Sequence, residues 1–162
     1  MQPSTQDQPS LRPAVPDDTD FLLRLYRSTR EPELAALPWT EAQKAAFCTM
    51  QFAAQVAGYG HSFPQAEQAI VVAPGGEPAG RLISARQDDA LLLVDISLLP
   101  AYRGRGWGTL LIRALQDEAA ALGLAVRLSV ERHNPALNLY QRLGFAIIGV
   151  DTIRLRMSWS RH

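Results

Sequence analysis

The stretch from Leu91 to Val130 limits the fold more than any other part of the chain. Leu91 to Leu99 is almost wholly apolar, as expected of a central strand covered on both faces. It is followed by the loop Arg103-Gly104-Arg105-Gly106-Trp107-Gly108-Thr109. A helical pattern then runs from Gly108 to Leu122, Gly123 caps its C-terminus, and Leu124 to Val130 reads as a second strand. A strand–helix–strand unit of this kind crosses over right-handed and places its two strands parallel.

Shorter signals surround this unit. Leu11 to Ala14 reads as a first strand. Asp17 or Asp18 is the expected N-cap of a helix through Phe21, Leu22, Leu25 and Tyr26. Glu31 to Pro38 holds two prolines and is expected to be a loop. Thr40 and Gln43 form a capping-box pattern for a second helix, expected to end near Gly58, with His61 to Gln65 a loop. Ala69 to Ala73 and Pro78 to Arg86 are strands divided by the turn Pro74-Gly75-Gly76. Beyond the central unit, Asn134-Pro135 starts a short helix that stops at Gly144, and Phe145 to Val150 and Thr152 to Met157 form the last two strands. The three strands before the glycine loop are joined by tight turns and are therefore antiparallel.

With 162 residues, the expected organisation is a flexible tail over residues 1–9 and a single domain over 10–162. Hydrophobic residues make up 47% of the chain, too many for a largely disordered one. Lys+Arg and Asp+Glu are both 16, so the basic surplus of a general nucleic-acid binder is missing. No apolar run approaches the roughly 20 residues of a membrane helix, and Met1 to Ser10 has no signal-peptide character, so a cytoplasmic location is expected. Cys48 is the single cysteine, and His61 and His133 have no ligand partners at useful spacing, so no metal is expected.

The glycine loop carries the sharpest chemical signal. Gly104, Gly106 and Gly108 allow a close backbone approach and positive φ. The first N–H groups of the following helix have no internal partner, and the helix dipole makes that end attractive to phosphate. No acidic residue lies between Asp95 and Asp117, whereas Arg103, Arg105 and Arg113 do. This combination reads as a pyrophosphate site. A Walker A loop is excluded because Gly-Lys-Ser/Thr does not occur. A dinucleotide fingerprint fails because its third glycine would fall at Thr109.

The segment Pro100-Ala101-Tyr102-Arg103-Gly104-Arg105-Gly106-Trp107-Gly108 resembles the acetyl-CoA pyrophosphate motif of the GNAT superfamily of N-acetyltransferases. Asn134-Pro135-Ala136-Leu137-Asn138-Leu139-Tyr140-Gln141-Arg142-Leu143-Gly144-Phe145 resembles the second half of that cofactor site. One helix and one strand separate them, and the element order is similar over about Leu11 to Trp159. The resemblance implies an α/β (α+β) fold, with a mixed central sheet of about seven strands flanked by about four helices and splayed between the fourth and fifth strands. It also implies transfer of an acetyl group from acetyl-CoA to a primary amine of a small molecule or peptide, by direct attack in a ternary complex.

Further roles follow from the resemblance. Backbone groups of Ser97 and Leu98 would bond the pantetheine arm, with the Leu98 N–H facing the thioester carbonyl. Residues Arg103, Gly104, Arg105, Gly106, Trp107, Gly108 and Thr109 would cradle the pyrophosphate, chiefly through main-chain N–H groups. Asn134 would contact the cofactor, although it is also an ideal N-cap. Tyr140 would protonate the leaving thiolate, although its spacing from Ala136 and Leu143 also suits a core residue. Asp95 and Glu131 stand as equal candidates for the general base, Asp95 being equally suited to pair with Arg81 or Arg127. The acceptor pocket is expected from the first two helices, with Tyr26, Arg30 and Trp39, and also Phe47, Tyr59 and the Ser28-Thr29-Arg30 triplet, as candidates. A homodimer is a possible assembly. An acyl-CoA-binding sensor without turnover is the alternative to an enzyme, and a nicotinamide-dependent enzyme is a third reading.

Overall fold

A computed structural model of the chain describes residues 7–161. Strand β1 (Ser10–Pro13) is followed by helices α1 (Thr19–Ala35) and α2 (Glu41–Ser62) and by strands β2 (Glu67–Val72), β3 (Pro78–Arg86) and β4 (Ala90–Leu98). Then come α3 (Trp107–Ala121), β5 (Ala125–Glu131), α4 (Ala136–Arg142), β6 (Ala146–Val150) and β7 (Arg154–Trp159). The described residues form one seven-stranded sheet in the order β1-β2-β3-β4-β5-β7-β6. Only the β4–β5 pair is parallel, as the crossover through α3 requires. The final strand inserts between β5 and β6, leaving β6 at the edge.

The helices cover the two sheet faces unequally. On one face α3 and α4 bury Ile112, Leu115 and Tyr140 against Leu93, Val126, Leu128 and Met157. On the other, Phe21, Leu22, Leu25 and Tyr26 of α1 pack on Phe52 of α2 and Ile70 of β2. Each such side chain contributes about 1.5–3 kcal/mol of burial. The α1–α2 layer covers the β1–β4 half and leaves the far half of that face, formed by β5, β7 and β6, open.

Several expectations change at element ends. The loop expected over residues 31–38 is confined to its last part, because α1 continues through Pro32 to Ala35 and only residues 36–38 are non-helical. A proline inside a helix costs about 3 kcal/mol. Leu34, 1% exposed, returns much of that by burial. The Ser28 and Thr29 hydroxyls also bond back to the Leu25 and Tyr26 carbonyls just ahead of the proline. Helix α2 runs past Gly58 and Gly60 to Ser62. Its Thr40–Gln43 capping box forms as the sequence predicts. Asp18 does not cap α1 with its side chain. Its carboxylate instead holds Arg12 at 2.7 and 2.9 Å and accepts from the Val15 N–H. Of the tail expected over residues 1–9, residues 1–6 lie outside the described residues. The Asp7 carbonyl accepts a bond from the Trp107 indole N–H at 2.9 Å, which fixes the chain's approach to β1.

Candidate active site

The site is a gap in the middle of the sheet. β4 and β5 pair only from Ala90–Ala125 to Leu93–Leu128 and then part. Beyond that point β4 stays with β3, and β5 stays with β7 as far as Glu131–Arg154. The β3–β4 register slips between Ile83 and Ser84, so that Val94 is an extra residue in β4. Such a bulge bends the strand and increases its twist. β4 thereby swings away from β5 where Asp95, Ile96, Ser97 and Leu98 follow.

The register decides which main-chain groups face the gap. Leu99 donates to the Ala79 carbonyl at 2.8 Å, so Gly80 and Leu98 are a facing pair that is not hydrogen-bonded. The N–H and C=O of such residues point away from the partner strand. Two residues back, Ile96 opposite Leu82 has the same orientation, whereas Ser97 is turned toward Arg81 of β3. Ile96 and Leu98 therefore present their backbones to the gap, and Ser97 does not. The sequence expectation missed Ile96 because strand phase is invisible without the pairing. The Leu98 carbonyl is occupied by Arg103 Nε at 2.9 Å, which folds the glycine loop back onto β4.

Two chambers meet at this gap. The larger, about 670 Å³, is lined by Ile96, Ser97, Leu98, Arg103, Gly108, Asn134 and Tyr140, among others. At its end α3 begins without a side-chain cap and without an acid in its first turn. Gly104 and Gly106 have φ of +76° and +81°, values that side-chain-bearing residues rarely adopt, and the space above both is open. Arg105 stacks over Tyr102 and Trp107 at 5.4 and 5.8 Å. The Trp107 ring is itself 1% exposed and stacked on Tyr102, so this residue can face a ligand only with its main chain. Thr109 is half-buried in the first turn of α3. Asn134 accepts from the Ala136 N–H at 2.9 Å, the capping role that its position before Pro135 suggested. Its amide nitrogen remains available to the chamber.

The smaller chamber, about 320 Å³, is mostly polar. Thr29, Arg30 and Glu33 of α1, Gln55 and Tyr59 of α2, Asp95 of β4, Ser129 and Glu131 of β5, and Arg154 of β7 contribute to it. Tyr140 lines both chambers and so stands at their junction. Loss of hydration, assisted by the nearby Asp95 charge, pushes its phenol up to about 12. Gln116 of α3 donates to the Leu143 carbonyl at 2.9 Å and pins the end of α4, which sets the height of Tyr140.

The two carboxylates differ in their surroundings. Asp95 accepts from Arg81 Nε at 2.9 Å and lies 2.8 Å from Arg81 Nη2, and the Arg81 side chain is 5% exposed. The same guanidinium reaches Gln55 at 3.0 Å, joining α2 to the bulged part of β4. Glu131 is 65% exposed and has only a loose contact with Arg154 at 3.9 Å. Desolvation, with the Asp95 charge second, raises the Tyr59 phenol. Of the acceptor-pocket residues expected from sequence, Arg30 lines the small chamber, while Tyr26 and Trp39 line neither. The Tyr26 ring is core, against Phe52 at 5.7 Å. Trp39 packs edge-on to Phe47 at 5.3 Å on the outer side of α2, since α1 continues past Pro32 and moves the α1–α2 connection outward. Glu33, Gln55 and Arg154 are the additions made by the structure. Their only sequence signal was polarity within helix or strand patterns.

A sheet of this order, splayed at its one parallel pair over an uncapped glycine-rich helix start, agrees with a family-level sequence match. The acetyltransferase (GNAT) family profile covers residues 20–145. The chain belongs to this family. A streptothricin acetyltransferase from Streptomyces lavendulae is 33% identical over 87 residues, 51% of this chain and 46% of that protein, so the match spans about half the length of that relative. Among solved structures, the PaiA N-acetyltransferase of Thermoplasma acidophilum, in complex with coenzyme A, superposes with a TM-score of 0.69 at 17% identity, covering 95% of this chain and 99% of that one. The spermidine N-acetyltransferase of Vibrio cholerae, in complex with CoA and spermine, gives 0.62 at 20% identity over 94% and 95%. At these identities the superpositions establish the GNAT fold. Among the described residues, no group of three or more His, Cys, Asp or Glu is arranged to hold a metal ion, and no helix is long and apolar enough to cross a membrane.

Proposed function

We propose that this GNAT-family chain transfers the acetyl group of acetyl-CoA to a primary amine of a small molecule or peptide, by direct attack in a ternary complex. The observation that carries the proposal is the open β4–β5 seam with Tyr140 at the junction of its two chambers. The larger chamber has the fittings acetyl-CoA requires. The Leu98 N–H lacks a sheet partner, α3 begins uncapped, and the glycines leave room above the loop. Main-chain N–H groups at the start of α3 would hold the pyrophosphate, with Arg103 and the Asn134 amide beside it. The coenzyme A complex of the Thermoplasma enzyme and the acetyltransferase names of both relatives support this reading.

The residues divide the chemistry between them. The Leu98 N–H, turned toward the gap, would meet the thioester carbonyl and stabilise charge growing on its oxygen; one such donor is worth about 3 kcal/mol of barrier. Glu131, exposed at the chamber mouth, takes a proton from the bound acceptor ammonium, directly or through water, because only the neutral amine has a lone pair with which to attack. The C–N bond forms as the C–S bond breaks, and Tyr140 delivers its phenolic proton to the departing sulfur. The second proton, shed by the newly acylated nitrogen, returns through water to the Tyr140 phenolate, while Glu131 gives its proton to solvent. A phenol held protonated up to about 12 is in the correct state to do so. Asp95, held by Arg81, positions this assembly and is poorly placed to exchange a proton.

Thiol release from acetyl-CoA over a panel of amines, together with calorimetry of acetyl-CoA binding, tests the proposal. Saturable binding with amine-dependent release is the expected result. Binding without release by any amine would leave a cofactor-binding domain without turnover, and absence of binding would remove the proposal entirely.

A further inference from the structure

The face of the sheet beyond the small chamber restricts the kind of amine, given the activity proposed above. The chamber's volume, about 320 Å³, is at the small end for ligand sites. Most of its charges are already matched. Asp95 is held by Arg81, and Glu33 pairs with Arg30 at 3.3 Å. That leaves Glu131 and Arg154, whose 3.9 Å separation is too long for a hydrogen bond.

The register extends this pair outward. Glu131 faces Arg154, and Ser129 faces Arg156, across the β5–β7 ladder. Facing residues of an antiparallel pair point to the same side of the sheet. Ser129, Glu131 and Arg154 all line the chamber, so Arg156 stands on the same side, about 7 Å from Arg154 along the strand. The Arg156 guanidinium lies across Gly149 of β6, where a Cβ would collide with it, so the missing side chain gives it its resting place. Among the described residues Arg156 has no ion-pair partner, and it is exposed on the half of this face that no helix covers. Outward from Tyr140, a ligand thus meets one available carboxylate and then two successive guanidiniums. A polyamine would place its second cation against those arginines. A carboxylate would meet the planar donors that suit it.

We infer that Arg154 and Arg156 form a carboxylate-binding strip, and that the acceptor is a small amino acid whose amine sits at Glu131 and Tyr140. The test uses the full chain, acetyl-CoA and a series of ω-amino acids from glycine to 6-aminohexanoate. Each is compared with its methyl ester, and spermidine is included as a polycation. The best free acid should exceed its ester in kcat/KM by about tenfold or more, the effect of one charge-assisted hydrogen bond, and should exceed spermidine as well. In Arg156→Gln the acid-to-ester ratio should collapse toward one, and Arg156→Lys should restore it only in part because a point charge lacks the fork. An ester or spermidine used as well as every acid would overturn the inference. So would an unchanged ratio in Arg156→Gln, or thiol release by none of these acceptors in a protein whose melting temperature acetyl-CoA raises. If acetyl-CoA fails to raise that temperature, the parent activity falls as well, and the two failures are thereby told apart.

Discussion

The two chambers on either side of Tyr140 are built in different ways. The large one is made mostly by two local segments, Ile96 to Gly108 and Glu131 to Tyr140, and offers chiefly main-chain groups: a strand edge and a helix start. The small one is assembled from side chains of six elements whose residues lie between Thr29 and Arg154. On the proposed reading, backbone groups would recognise features that any acyl-CoA shares, and side chains would recognise what distinguishes one acceptor from another. The contrast implies that substitutions should separate cleanly into those that alter cofactor affinity and those that alter acceptor handling.

The largest effect belongs at the junction. Tyr140→Phe should lower kcat about 100-fold, within the range of general-acid contributions, while acetyl-CoA affinity by calorimetry changes little. An equal loss of affinity would mean that Tyr140 serves only the large chamber. The phenol's folded pKa, about 12, lies above the ordinary tyrosine value of 10.0, so the advantage of the neutral form is intact below pH 10 and is lost as pH rises through about 12. A fall in turnover between pH 8 and 10 that persists in Tyr140→Phe would therefore belong to another group.

Arg81→Met tests the polar chamber. It leaves Asp95 without its partner and α2 without its tie through Gln55. A cost of about 2 kcal/mol in stability is expected, below the usual figure for a buried pair because Asp95 keeps some solvent. The acceptor KM should rise in the folded fraction, with acetyl-CoA affinity retained. A larger loss of cofactor affinity than of acceptor affinity would break the division between the chambers.

Asp18 examines the α1 wall from further away. The Arg12 bond, and next the Val15 N–H, lower its carboxyl from 3.8 to about 2. A lowered folded value contributes stability that is present above pH 4 and lost as pH falls through about 2, here about 2 kcal/mol. Acid unfolding followed by circular dichroism should lose that component in Asp18→Asn, whose stability should be flatter between pH 4 and pH 2 than that of the parent.

Gly106→Ala should have the smallest effect. A Cβ at φ +81° costs about 1–2 kcal/mol in a loop that otherwise has space for it. Acetyl-CoA should bind about tenfold more weakly, and acceptor KM at saturating acetyl-CoA should be unaffected. A change in acceptor KM instead would show that the loop reaches the small chamber.

Much of the large chamber was legible in the chain itself. The glycines, the missing acids and the apolar strand are contiguous, and each acts through local backbone geometry. Ser97 shows where this stopped. It lies in the right segment, but the Gly80–Leu98 pairing assigns the gap-facing backbone to Ile96 and Leu98. The small chamber was less legible. Pro32 pointed to a loop, and burial of Leu34 outweighed that local signal, which carried Glu33 into the chamber and Trp39 out of it. Tyr26 and Arg30 share a helix, yet one ring became core while the guanidinium four residues on reached the cleft.

The order of strands and helices, the parallel crossover and the uncapped, acid-free start of α3 followed from sequence alone, because periodicity, turn residues and missing charges act over a few neighbouring positions. The bulge at Val94, the insertion of β7 beside β5, the joining of Asp95 to Arg81 and the alignment of Arg154 with Glu131 required the folded sheet. Each depends on strand register, and register is set by the whole buried surface at once.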